Sequence, residues 1–347
     1  MRTSTPKIRL LFYGFCLATV LYNCKTKDVA GVTPFTYTFK GIDNVKLPEV
    51  KATTPATVTV TAGSVQSSTV TSAVTSGLAS LSSGQPSAAV QQATADVAKA
   101  IPADQATQLA AAFTPAVVAS ISSGGTLPAN LKAQTDALAK NPALQAYMPK
   151  FTLPTVNGKP VGGRIGADGN TVVPVTANAT TKTNDACQDA ANASYNTAVA
   201  NLTAARDAQA SSVNAAHQAQ LTAAQQQATS CNNDKNAYYA NLLSQASSQY
   251  NEANTAISGA AIPDSDKALL KVLYLVSYVQ ISEQISTVKA AEIVACNAQA
   301  TAVQNASTAD TQAITANFNA AMAALNAART QAINSCHNQG GGRIGAE

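Results

Sequence analysis

One long stretch of this 347-residue chain has almost no residue that would stop a helix. Between Pro174 and Gly340, the only glycine and the only proline are Gly259 and Pro263, and they lie near the middle of that stretch. Glycine and proline are the strongest local breaks in a helix. The sequence therefore predicts two long helices, joined by a turn at "GAAIPDSD", residues 259–266.

Four cysteines indicate how these two helices pair. The midpoint of Cys187 and Cys336 and the midpoint of Cys231 and Cys296 both fall inside residues 259–266, where an antiparallel hairpin would turn. Within each helix the two cysteines are separated by nearly a whole number of turns, so they lie on one helix face. An exported chain meets oxidising conditions. We therefore predict the disulfides Cys187–Cys336 and Cys231–Cys296.

Four cysteines allow three connectivities. Pairing Cys187 with Cys231 and Cys296 with Cys336 would fold each long helix back on itself, with no glycine or proline for the turn. The crossed pairing fits no single hairpin. The spacing of the cysteines differs slightly between the two helices, which predicts a local bulge or a small stagger near the bridges.

The predicted fold class is mainly α: a long antiparallel two-helix hairpin, coiled-coil-like and disulfide-stapled, plus a small helical domain and a few short β-strands. Asp264 or Ser265 is expected to cap the second long helix, and Thr183 or Asn184 the first. In the small domain the expected helices are 87–101, 104–122 with a kink or break at Pro115, 129–140 and a short one from 142. Alternation of apolar or aromatic residues with threonine at 35–39 and 56–63 predicts a few short edge strands or a partly extended tether.

The predicted boundaries follow these elements along the chain. Asp168-Gly169 is expected to form the turn of a β-hairpin within the linker that precedes the long helices. The segments, in order, are a signal peptide (1–23), a tether with short strands (24–64), a small helical domain (65–150), a linker with a β-hairpin (151–183), the long helical hairpin (184–339) and a Gly-rich tail (340–347).

The first 24 residues have the features of an export signal: a basic start, a short apolar run and then a cysteine. The apolar run is too short to cross a bilayer as a helix. "LYNC" resembles the lipobox of bacterial lipoproteins, with Leu21 three places before Cys24. The resemblance implies that Cys24 becomes the lipidated first residue of an outer-membrane or cell-surface protein. Asn23 departs from the small residue of that family, which leaves ordinary signal cleavage and a periplasmic or secreted protein as the alternative.

Composition and charge exclude some function classes. Charged residues make up 12% of the chain and aromatic residues 5%, and there is no tryptophan. The formal charge of +4 becomes nearly balanced if Arg2, Lys7 and Arg9 leave with the signal peptide. No cluster of lysine and arginine predicts nucleic-acid binding. We also find no arrangement typical of an enzyme and no evident small-molecule substrate.

The end of the predicted hairpin nearest its turn is apolar on more than one side and must therefore be covered. The three alternatives are helices of residues 65–148, another subunit and a binding partner. We refer to this end, beyond Cys231 and Cys296, as the tip. The residues predicted there as a partner-binding surface are Tyr238, Tyr239, Leu242, Leu270, Leu273 and Tyr278.

Other candidate sites have weaker patterns. "GGRIGA" occurs at 162–167 and at 341–346, so Arg164 and Arg343 are a candidate docking feature or part of a recurring glycine-rich turn. His217 is expected on a solvated helix face and His337 near the helix end. No metal site and no cofactor are predicted, because the cysteines and histidines lack ligand spacing.

These observations favour a structural or interaction protein, not an enzyme: a stalk, a spacer, an adhesin-like protein or an envelope assembly component. It is expected to hold a lipid anchor in the membrane and to bind a protein partner or a second copy of itself. The alternative is a membrane-active protein that resembles long-helix pore-forming toxins, with "ALLKVLYLVSYV" (268–279) as the inserting segment. Lys271 and the short apolar length weigh against that alternative.

Overall fold

The computed structural model describes residues 37–162 and 186–339. It confirms a mainly helical fold with a few short strands. Several predicted features lie outside the described residues: Cys24, the Asp168-Gly169 turn, the caps Thr183 and Asn184, and the docking residues Arg164 and Arg343.

The helices occupy both described ranges. In chain order they are α1 (Lys40–Asp43), α2 (Thr69–Gly77), α3 (Ala88–Ala100), α4 (Ala103–Ala112), α5 (Pro115–Ser122), α6 (Ala129–Ala139), α7 (Ala186–Ser258), α8 (Asp264–Cys296) and α9 (Ala298–Gln339), with short 3₁₀ helices at Leu78–Ser83 and Gln145–Tyr147. The expected break at Pro115 is confirmed. Pro115 takes the first position of α5, where its missing N–H is harmless, and Thr114 caps the helix.

The long hairpin has one limb made of α7 and a second limb made of α8 and α9. Both predicted disulfides are present, and their Cα–Cα distances are 5.8 Å for Cys187–Cys336 and 5.7 Å for Cys231–Cys296. Between the bridges and the turn, Tyr239 and Leu243 of α7 share a hydrophobic cluster with Ile285 and Val288 of α8. From the first bridge toward the turn, the residue numbers of these contacts rise in α7 and fall in the second limb, as an antiparallel pair requires.

Two local details of the second limb bear on the predictions from the sequence: its interruption and its first residue. The second limb is interrupted at Asn297, directly after Cys296, where the N–H of Asn297 bonds to the carbonyl of Val294. The unequal cysteine spacing predicts a local bulge or a small stagger near the bridges, and this interruption lies next to Cys296. The predicted cap of the second limb was wrong by one residue: Pro263 occupies the N-cap position and Asp264 is the first helical residue.

One of two compact units contains, among the described residues, 37–48, 186–206 and 316–339. Its core contains Phe39, Ile42, Leu202 and Leu325 together with the Cys187–Cys336 bridge. Of the two alternatives for 35–39, the strand is wrong for 37–39, which are not in a strand. Phe39 instead precedes α1, and its side chain is buried in this core.

The second unit contains, among the described residues, 49–162 and 207–315. Its largest core combines α2 to α6 with the tip of the hairpin, and α3, α4 and α6 all pack against α8. Residues 65–150 thus share a core with the hairpin. This core forms because α8 is apolar on more than one side there, with Lys271 as the charged exception, and the small helices each present one apolar face.

Short strands complete the second unit. They are β1 (Val60–Thr61), β2 (Ser64–Gln66), β3 (Lys150–Thr152), β4 (Thr155–Val156) and β5 (Lys159–Pro160). All pairs are antiparallel, with the order β1-β4-β5 in one sheet and β2-β3 in the other. Within 56–63 only Val60–Thr61 is a strand, and the N–H groups of Val58 and Gly63 bond to the hairpin. Of the two alternatives for this segment, a strand is confirmed for two residues only.

Candidate functional site

The tip is closed by the chain itself. Of the six residues predicted as a partner-binding surface, Tyr239, Leu270, Leu273 and Tyr278 are buried, so that prediction is wrong for these four. Tyr238 is 55% exposed. The segment 268–279, predicted to insert into membranes in the toxin-like alternative, lies in the same core. Of the three alternatives for covering the tip, the structure contains the first for most of it: residues 69–148 cover Leu270, Leu273 and Tyr278. Val65 and Leu153 pack against the cluster that contains Tyr239.

Hydroxyl groups tie the small helices to α8 inside this core. The hydroxyl of Tyr278 lies 2.8 Å from Oγ of Ser122, and the hydroxyl of Tyr274 lies 3.0 Å from Oγ1 of Thr75. Burial raises the pKa of Tyr274 to about 12, so its hydroxyl stays protonated. These bonds give the covering helices a defined register on α8, because a buried hydroxyl that loses its partner is costly.

A second polar feature runs along the hairpin. Residues 49–66, which we call the strap, contain no buried side chain. Their backbone N–H groups donate instead to side-chain oxygens of the limbs: Val50 to Gln209 (3.2 Å), Thr53 to Asp310 (2.6 Å), Val58 to Gln299 (2.8 Å) and Gly63 to Glu292 (2.6 Å). The hairpin therefore holds the strap mainly by its backbone.

The spacing of these contacts fits an extended chain beside a helix. From Thr53 to Val58, five extended residues rise about 16 Å at roughly 3.3 Å each. From Asp310 to Gln299, eleven helical residues rise about 16 Å at 1.5 Å each. The two rises match, so donor and acceptor meet at both places.

His217 and Asp310 form a buried polar pair between the limbs. Nε2 of His217 lies 2.8 Å from Oδ2 of Asp310, and the His217 residue is only 3% exposed. The prediction of a solvated His217 was therefore wrong. A signal was available in the sequence. His217 lies four residues after the apolar Val213, and Asp310 lies four residues before the apolar Ile314; both neighbours are buried.

The chemistry of this cluster favours holding the strap over catalysis. The hydroxyl of Thr53 donates to Oδ1 of Asp310 at 2.8 Å and not to the imidazole. The imidazole therefore does not activate it as a nucleophile. Nδ1 of His217 is buried and has no hydrogen-bond partner in the part of the chain that the structure describes. No group of three or more potential metal ligands occurs among the described residues.

Glu292 forms the other buried carboxylate contact of the strap. Its Oε1 accepts the N–H of Gly63, and the ammonium of Lys235 lies 3.0 Å from Oε2. The side chain of Glu292 is completely buried. Burial, with Glu292 nearby, raises the pKa of Tyr239 to about 12. A charge buried in this way is stable only while both partners remain, since removing one leaves the other unpaired.

We expect Gly63→Ala to destabilise the protein. A Cβ at this position would stand 2.6 Å from Cγ1 of Val288 and 2.7 Å from the carbonyl oxygen of Thr152. Overpacking of this kind costs about 1–3 kcal/mol, which should lower the midpoint of urea unfolding. Gly41→Ala is the control, because its Cβ would meet Ala328 at an ordinary 3.7 Å. Equal midpoints for the two variants would contradict the close packing at Gly63.

Acid should weaken the strap contact at Asp310. Burial acts to raise the pKa of Asp310, but hydrogen bonds from Thr53 and His217 bring it below its usual value of 3.8. A carboxylate with a lowered pKa stabilises the fold above the pKa of the unfolded chain, about 3.9, and this contribution is lost as the pH falls through the lower, folded value. We expect the free energy of unfolding to fall below about pH 4.

Asp310→Asn isolates that contribution, because other carboxylates such as Asp96 also have a lowered pKa. The difference in free energy of unfolding between the native protein and Asp310→Asn should be largest at neutral pH and shrink below pH 4. A difference that does not change from pH 7 to pH 2.5 would show that the Asp310 carboxylate does not stabilise the strap.

Comparisons with protein-family models, with curated proteins and with solved structures found no match for this chain. The two disulfides point to an oxidising, extracytoplasmic environment. Within the two described ranges, no helix combines the length and the apolar character needed to span a bilayer.

Proposed function

We propose that this chain is an exported, lipid-anchored protein of the bacterial envelope that acts as a structural or interaction component. In this role the hairpin is a rigid spacer, and the tip that the small helices close around is the part it displays. The lipid anchor is Cys24, and the outer membrane or the cell surface is the location. A protein partner or a second copy of the chain binds to the displayed surface.

The observation that carries the proposal is the pair of disulfides across the limbs. Cys187–Cys336 lies in one unit and Cys231–Cys296 in the other, so each unit has its own covalent link between the limbs. Alanine supplies much of the contact between the limbs, including Ala191, Ala224 and Ala300. Such small side chains bury little apolar area. Covalent links that offset weak packing suit a protein that must keep its shape outside the cell.

Two further features support the proposal. "LYNC" at residues 21–24 resembles a lipobox, which supports lipidation at Cys24. The strap, residues 49–66, follows the anchor along the chain and bonds to both limbs. The strap thus links the lipid anchor at Cys24 to the hairpin. This link holds the hairpin close to the membrane.

The test is mass spectrometry of the protein purified from envelopes of its native host. We expect a mature chain that begins at acylated Cys24. The Cys24→Ser variant should no longer be found in the membrane fraction. Lysine cross-linking before purification would identify the partner or the second copy. A mature chain that starts elsewhere and carries no lipid would contradict the anchor, and a protein found in the cytoplasm would contradict the whole proposal.

A further inference from the structure

One lysine stands out in the core of the tip. From Ala268 to Val279 every residue of α8 is buried except Lys271, which is half-buried. Its ammonium has no hydrogen bond and no ion pair with any residue in the ranges that the structure describes. By contrast, Lys267, one turn earlier, lies 3.3 Å from Asp264. The aliphatic stem of Lys271 lies against this core, and its ammonium is left free to pair with an anionic ligand.

Lys271 lines a groove of about 660 Å³ between α4, α7 and α8. The groove is open because α4 faces it with small residues, among them Ala103, Thr107 and Ala110. A second groove of about 560 Å³, between α5 and α7, adjoins the first at Phe113, Tyr250 and Asn254. Each volume is in the range of small-molecule binding sites.

Tyr250 and Asn254 stand where the two grooves meet, and both offer free polar groups. The ring of Tyr250 stacks on Tyr278 with centroids 5.0 Å apart, which fixes its position. Its hydroxyl and the side-chain amide of Asn254 have no hydrogen-bond partner among the described residues. Burial raises the pKa of Tyr250, so its hydroxyl is a neutral donor at physiological pH.

The charges in the two grooves are unevenly placed. The charged residues of the first groove are Asp104, Asp264, Lys267 and Lys271, and Asp264 pairs with Lys267. Asp104 is exposed. The second groove has no charged residue in its lining, which contains hydroxyl and amide groups such as those of Ser123 and Asn251. A matching ligand therefore has an anionic group at one end and uncharged hydroxyl groups along the rest.

We propose that these grooves bind an acidic oligosaccharide. A carboxylate of one sugar pairs with Lys271, and the hydroxyl groups of that sugar and its neighbours bond to Tyr250, Asn254, Asp104 and the second groove. One unpaired cation, Lys271, beside hydroxyl and amide groups suits a uronate, and the exposed carboxylate of Asp104 can accept hydrogen bonds from sugar hydroxyl groups. A polyphosphate would instead require several unpaired cations. This inference goes beyond the proposed function, since a spacer needs no ligand.

The test is isothermal titration of the disulfide-bonded protein with glucuronosyl-maltose, which carries one carboxylate on its terminal sugar, and with maltotriose as the matched neutral probe. We expect glucuronosyl-maltose to bind and maltotriose to bind at least about tenfold more weakly, because a hydrogen bond to a charged group contributes about 1.5–3 kcal/mol. Lys271→Gln should weaken glucuronosyl-maltose binding by about tenfold or more, and Lys271→Arg should retain most of it.

Lys289→Gln is the matched control, because Lys289 lies on the same helix outside both grooves. It should leave binding unchanged. No binding of glucuronosyl-maltose, equal binding of the two sugars, or full binding by Lys271→Gln would each overturn the inference. Thermal unfolding of each variant checks that the fold is intact. None of these outcomes bears on export or on the lipid anchor, which the mass spectrum of the N-terminus tests separately.

Discussion

Replacing Cys187 and Cys336 together by alanine is expected to lower the free energy of unfolding by about 5 kcal/mol, and replacing Cys231 and Cys296 together by about 4 kcal/mol. A disulfide stabilises mainly by restricting the unfolded chain, and the restriction grows with the length of the closed loop. The bridged residues are 149 positions apart in the first case and 65 in the second. The contact between the limbs is rich in alanine and cannot offset such a loss.

Urea unfolding of the native protein and the two double variants measures these effects. Dithiothreitol provides an internal control. Reduction of both bridges should lower the stability of the native protein by more than the loss of either bridge alone. It should have no effect on a variant in which all four cysteines are replaced. A loss of less than about 1 kcal/mol in both double variants would contradict the account, because the limbs would then be held together by packing alone.

Leu273→Ala is expected to lower the free energy of unfolding by about 2–5 kcal/mol. Leu273 is 1% exposed and lies in the core that α8 forms with the small helices. Its truncation removes buried methyl groups and leaves a cavity, and both effects destabilise the fold. Denaturant unfolding followed by circular dichroism measures the change.

Val294→Ala is the matched control on the same helix. Val294 is 56% exposed, so its truncation should change the free energy of unfolding by less than about 0.5 kcal/mol. If Leu273→Ala were as mild as Val294→Ala, Leu273 would be accessible to solvent. The helices of residues 69–148 would then not cover the tip, and a partner would have to do so.

The hairpin could be predicted from the sequence because its turn residues are a local pattern and its cysteine pairs are placed symmetrically about that turn. Gly259 and Pro263 mark the turn, and the midpoints of both cysteine pairs agree with it. The small helices could be predicted because Pro102 and Pro115 separate their apolar patterns. What covers the tip could not be predicted, because an apolar surface does not specify its partner.

The strap and the His217–Asp310 pair were missed for a different reason. The limbs hold the strap by its N–H groups, and a backbone contact leaves no pattern in the side chains of residues 49–66. Threonine–valine alternation at 57–61 therefore suggested a strand. His217 was placed on the surface by its polarity alone, although its spacing from Val213 predicts a position between the limbs.

The central claim is that the second half of the chain is doubled back near Pro263, and its limbs are joined by two bridges. Peptide mapping without reduction, on protein from an extracytoplasmic fraction, tests this most directly. The account predicts one peptide pair that contains Cys187 with Cys336 and another that contains Cys231 with Cys296. A peptide linking Cys187 to Cys231, or four free thiols, would contradict it.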